Sequence, residues 1–189
     1  MNEIDRQYRL IKQMLDMHHS LKNHYRRCSL FAEVLLLSAS IVFLLTTFAD
    51  ENFYQFLGLT PQSGKIILGL ASAIAFLMSL ILIILDWPGK TARHKDSAKQ
   101  WHSLLSEFRD CRLNDKKWPD DQVERLMIAY NAVCDSSASI PDNKFNSLKS
   151  RYLAKVEISK LASINPGVPA IILSIVVRIS AIIKLIRNL

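Results

Sequence analysis

Glycine, proline and cysteine are scarce in this chain, at five, six and three among 189 residues. The glycines are scattered, so the sequence carries no P-loop, no GxGxxG and no GxSxG nucleophile elbow. Cys28, Cys111 and Cys134 show no CxxC spacing, which argues against zinc. All three are expected on the cytosolic side, which argues against disulfides. His18, His19 and His24 miss the four-residue repeat that sets two rings on one helical face for a metal. His94 and His102 have no nearby Cys or acidic arrangement that reads as catalytic. Asp120 and Asp121 are explained by helix capping. No catalytic, cofactor-binding or metal residue is assigned, and enzyme activity is not expected.

What the chain has in quantity is apolar sequence, 50% of its residues, and part of it is gathered in two long runs. Ile66 to Leu85 contains no charge, and about 20 residues of helix match the roughly 30 Å thickness of bilayer hydrocarbon. Ser29 to Ala49 carries one carboxylate, Glu33, near its start. From Val34 onward it is about 16 residues, slightly short for an untilted span, which places Glu33 near the interface. The segment between them, Asp50 to Lys65, is too short for a domain and holds Gly58, Pro61 and Gly64 as expected turn residues. An antiparallel transmembrane hairpin follows.

Charge orients the hairpin. Arg6, Arg9, Lys12, Lys22, Arg26 and Arg27 precede the first run, and Lys90, Arg93, Lys95 and Lys99 follow the second. Lysine and arginine mark the cytoplasmic side, so both termini are expected in the cytosol. Arg26, Arg27, Trp87 and Lys90 are the candidate interface anchors. The formal charge of +7 is accounted for largely by this juxtamembrane excess, and nucleic acid is not an expected partner. Polar-rich sequence precedes the first run, unlike the short basic start of a signal peptide, so the run is read as a retained anchor.

The remainder reads as helix, giving an all-α membrane protein with a cytosolic helical bundle. Residues 3–28 place Ile4, Tyr8, Ile11, Leu15 and His18 at helical spacing without a breaker, so this amphipathic helix is expected to continue into the first span. Pro88 and Gly89 are expected to break or kink the chain at the interface. Bundle helices are expected over 91–113, with Ala98, Trp101, Leu104, Leu105 and Phe108 inward, over 120–135, and over 141–164 with Pro141 at its start. Residues 1–165 form one domain on this reading. Residues 167–189 form a separate amphipathic helix, with Ile171, Ile172, Ile175, Val176, Ile179, Ile182, Ile183 and Ile186 opposite Ser174, Arg178, Lys184 and Arg187. It can lie on the inner leaflet, pack on the bundle or a second protomer, or span. The span is disfavoured, because Arg178 near mid-bilayer costs about 3 kcal/mol on insertion scales.

Inside the first run, Ala32, Ala39 and Thr46 recur every seven residues, as do Glu33, Ser40 and Thr47. Gly69, Ser72 and Ala73 continue the theme in the second, with Gly69 and Ala73 a small-xxx-small pair. Glu33, Ser40, Thr47, Gly69, Ser72 and Ala73 are therefore the candidate pore or packing face. They read either as a seam within one hairpin or as the lining of a water path in a homo-oligomer.

A basic helix with RLIKQMLDMHHSLKNHYRR, a two-span hairpin, then DWPGKTARHKDSAKQWHSLLSEF and further helices together resemble the SLATT group. These are small bacterial two-transmembrane proteins associated with nucleotide-signalling and antiviral defence systems. The resemblance covers about Glu3 to Ala162 in layout and texture, and it transfers no particular functional residue. It implies an inner-membrane effector that oligomerises to open a pore or disrupt the bilayer and so stops an infected cell (abortive infection). The chain carries no fused sensor or nucleotide-binding motif, so the trigger is expected from a separate sensor protein or from a ligand held by the basic bundle. The alternative is a non-pore anchor or scaffold that recruits a cytosolic partner to the lipid bilayer.

Overall fold

A computed structural model describes residues 3–47, 60–113 and 120–187. Six helices occupy them, with no strand among the described residues: α1 (Glu3–Thr47), α2 (Pro61–Leu85), α3 (Trp87–Leu113), α4 (Asp120–Ser136), α5 (Asp142–Ile164) and α6 (Ala170–Arg187). The protein is all-α. The expected turn at Gly58 and the loop at 114–119 lie outside the described residues.

The chain divides into two compact units, one of Met1–Ser20 with Arg93–Leu189 and one of Leu21–Ala92. In the first unit the heart of the packing is Ile11, Trp101, Leu104, Phe108 and Leu126, with Tyr8, Leu15, Leu105 and Tyr130 packed around it. Trp101 is fully buried, and its ring meets Tyr130 edge-on at 5.8 Å between centroids. That geometry suits the aromatic quadrupoles and adds to the large apolar area an indole removes from water. Burial pushes the Tyr130 phenol up to about 12, assisted by a hydrogen bond with Cys134. The apolar stripe of α3 is thus the strip against which α1 and α4 close.

The segment after α4 is held rather than loose. The Ala138 N–H donates to the buried Ser97 hydroxyl at 2.8 Å, and that hydroxyl donates to the Arg93 carbonyl at 3.0 Å. Pro141 stands before α5 instead of opening it. Its backbone is extended (φ −58°, ψ 130°), and its carbonyl accepts from the N–H groups of Lys144 and Phe145. A charge pair between Lys155 and Asp16 links α5 to α1. With the lysine well exposed, its contribution is at most about 1 kcal/mol.

The second unit contains both apolar helices. Each is long and apolar enough to cross a membrane, and neither apolar window has any share buried within the chain. Phe31 is 71% exposed and Ile84 81%. Such side chains in water forfeit about 25 cal/mol per Å² of apolar surface, so lipid is the solvent that suits them.

Pro61 and Gly64, expected in the turn, belong to the first turn of α2. Thr60 caps it by accepting from the Ser63 N–H at 3.3 Å, and Pro61 takes the first helical position, where no N–H is needed. The break after α2 falls at Asp86, ahead of Pro88 and Gly89. Asp86 takes a left-handed conformation (φ 44°) and its N–H still closes onto the Leu82 carbonyl. Its carboxylate then accepts from the Gly89 N–H at 3.0 Å. One residue therefore ends α2 and starts α3.

Candidate functional site

In the hairpin, the half-buried residues of α1 are Ala32, Leu36, Ala39, Phe43 and Thr46, spaced four and three apart. In α2 they are Leu68, Ala71, Ala75, Ser79, Leu82 and Leu85. These two stripes form the inner seam of the hairpin, and their small residues let two backbones approach closely. Of the candidate face, Glu33 and Ser40 are exposed, one residue and therefore about 100° round from the Ala32–Ala39 stripe. Gly69, Ser72 and Ala73 are likewise exposed, and a Cβ built on Gly69 would meet nothing within 4 Å. The side chain of Thr47 lies outside the described residues. The two heptad rows of α1 thus part company: the Ala32 row is half-buried, whereas Glu33 and Ser40 beside it stay exposed.

The hydroxyls of this region bond back to their own helices. Ser40 donates to the Leu36 carbonyl at 2.9 Å, Ser72 to that of Gly69 at 2.8 Å and Ser79 to that of Phe76 at 2.7 Å. Satisfied this way, a serine tolerates lipid or a neighbouring helix without demanding water. Glu33 is different in kind. Its carboxylate accepts from the Ser29 hydroxyl at 2.6 Å and lines a cleft of about 460 Å³ with Ala32, Leu36, Ser79, Leu82, Asp86 and Trp87.

Of the interface anchors, Trp87 lines that cleft. Arg26 and Arg27 are exposed, and Trp87 is half-buried at the start of α3. The Lys90 ammonium stands 5.9 Å from the centre of the Tyr25 ring, within range of a cation–π contact. An aromatic and cationic collar of this type suits the headgroup level of a bilayer.

The bundle holds a second polar feature. His18 and His94, 76 positions apart in sequence, meet with their Nδ1 atoms 3.0 Å apart. His18 is fully buried and His94 only 5% exposed. A distance of 3.0 Å between two imidazole nitrogens needs one proton between them, one ring donating and the other accepting. His18 Nε2 is buried with no hydrogen-bond partner among the described residues. Leaving that atom a bare lone pair costs less than burying an unmatched N–H, so His18 is assigned as the Nδ1–H donor and His94 as the acceptor.

Burial first, then the neighbouring His94, holds His18 down to about 4. Burial, followed by Lys144 and Arg93, also lowers His94. Both rings are therefore neutral at pH 7. Among the described residues no group of three or more His, Cys, Asp or Glu gathers as a metal centre.

Spacing along the sequence missed this pair, because it links two helices. The available signal was the position of His18 in line with Ile11 and Leu15 on the apolar stripe, where a histidine needs a buried partner. Comparison of the chain with known families, curated proteins and solved structures finds no match.

Proposed function

We propose that this chain is a membrane effector that oligomerises through its hairpin to form a pore or disrupt the bacterial inner membrane. On this reading both termini are cytosolic and the helical bundle keeps the hairpin silent. A separate sensor releases it during antiviral defence, the setting that the resemblance to the SLATT group implies. The observation that carries the reading is the division of small and polar residues in the hairpin. Ala32, Ala39, Ala71 and Ala75 serve its own seam, while Glu33, Ser40, Gly69, Ser72 and Ala73 remain exposed. In lipid, where apolar bulk gives no preference for association, an outward face of small and polar residues favours contact with other copies. A carboxylate on that face favours hydration in the assembly.

The alternative is a non-pore anchor or scaffold whose bundle recruits a cytosolic partner. The self-satisfied hydroxyls of Ser40 and Ser72 favour it, since they need no water path. Release of a trapped dye from vesicles carrying the full chain separates the two readings.

A further inference from the structure

Helix α6 packs one face and leaves the other bare. It turns back on α5 through Asn165–Pro169, where Gly167 takes φ 99°, a conformation suited to glycine. Leu173 is 5% exposed on the packed face, with Ser174 and Val177 half-buried beside it. Opposite lie Ile171, Ile172, Ile175, Val176, Ile179 and Ile183, each between 47% and 74% exposed.

At about 100° per residue these aliphatic side chains fill an arc of roughly 140°. Arg178 and Arg187 fall just outside its two edges, and Lys184 stands further round. No acidic residue occurs between Ala170 and Arg187. An apolar face bordered by cations matches an anionic leaflet, where isoleucines enter the acyl boundary and the cationic heads reach lipid phosphates.

We propose that α6 is a second membrane-contact element, lying in the plane of an anionic leaflet with its isoleucine face in the lipid. This rests on the membrane reading of the hairpin and is independent of pore formation. A spanning orientation is disfavoured by the packed face. Crossing the bilayer would strip α6 from α5 or carry Lys149, Arg151, Lys155 and Lys160 of α5 into hydrocarbon. Pairing with α6 of a second copy is disfavoured by charge, because it brings Arg178 and Arg187 toward their counterparts with no carboxylate on the helix to offset them.

The test uses the full chain with C28S, C111S and C134S and a nitroxide attached through Ile179→Cys or, separately, Ser180→Cys. The protein is reconstituted in vesicles of phosphatidylcholine with one-third phosphatidylglycerol, or of phosphatidylcholine alone. The label at 179 is expected about 5–10 Å into the anionic leaflet, with the label at 180 open to aqueous relaxants. Water access at 179 is expected to rise several-fold in neutral vesicles and in R178E/R187E. Equal water access at 179 in both lipids overturns the proposal, as does a midplane depth, which means spanning. Spin–spin broadening that disappears on dilution with unlabelled protein overturns it in favour of a second copy. Flotation of the same samples separates the two readings: protein that floats with a wet label refutes only the α6 proposal, whereas protein that fails to float refutes the hairpin as well.

Discussion

The Nδ1 atoms of His18 and His94 lie 3.0 Å apart and share a single proton, joining α1 to α3 inside the bundle. A second proton has no comfortable site. It must sit on the buried Nε2 of His18, which has no acceptor among the described residues, or on Nδ1 of His94, where it opposes the existing N–H. The cations facing the pair, Arg93 on α3 and Lys144 on α5, also oppose it, as does the titratable ring of His19 on α1. Acid is therefore expected to loosen this junction. Of its two helices, α1 is continuous as far as Thr47, and α3 follows α2 after Asp86.

The pH dependence follows in sign and window. His18 titrates at about 4 in the folded chain against 6.5 unfolded. The unfolded chain thus binds more protons between those values, and stability is lost as pH falls through that window. The slope from one group is at most about 1.4 kcal/mol per pH unit. We expect the thermal midpoint in detergent to fall by about 4 °C between pH 7.5 and pH 5. H18L/H94L is expected to flatten that dependence, and a wild-type midpoint constant over this range would contradict the assignment.

Gly89→Ala is expected to destabilise the α2–α3 junction. The added Cβ would overlap the Asp86 carboxylate, which must swing away and release the Gly89 N–H. Loss of that cap costs about 0.5–2 kcal/mol. Asp86→Asn keeps an acceptor and tolerates the left-handed backbone, so it is expected to cost much less. Chemical denaturation of the pair of variants checks the order.

How much of this was legible beforehand depends on whether a feature is local. The inward stripe of α3 follows from the spacing of Trp101, Leu104 and Phe108, and the apolar runs follow from composition. The side of α1 that turns inward does not. The Ala32 and Glu33 rows are about 100° apart, and only the position of α2 selects between them. Gly64 and Pro61 read as turn residues in isolation, yet Thr60 beside them supplies a cap that makes the same residues a helix start. The histidine pair needed the tertiary fold, since neither ring has its partner nearby in sequence.

Bulky substitutions separate the two faces of the hairpin. Ala39→Leu enlarges the half-buried seam and is expected to impair the hairpin itself, with overpacking costs of about 1–3 kcal/mol. Gly69→Leu and Ala73→Leu point into open space and are expected to leave insertion intact while reducing cross-linked oligomer several-fold. Equal cross-linking in wild type and in both outward variants would remove this face from the assembly.

Glu33→Gln keeps the side-chain shape and its acceptor for the Ser29 hydroxyl while removing the charge. In a conducting assembly, cation preference in planar-bilayer recordings is expected to fall while membrane insertion stays unchanged. Ser40→Ala is expected to change conductance little, because that hydroxyl already bonds the Leu36 carbonyl. Unaltered selectivity in Glu33→Gln would place Glu33 at the interface rather than in a conduit.

The most direct test of the central claim is release of a self-quenched dye from sealed vesicles bearing the full chain, at rising protein-to-lipid ratio and with a candidate sensor protein added. The account predicts release that steepens with protein density, as assembly requires, and that is lost in Gly69→Leu and Ala73→Leu. Vesicles that retain their dye at every density, with the hairpin inserted and the sensor bound, would contradict it and leave the chain a membrane scaffold.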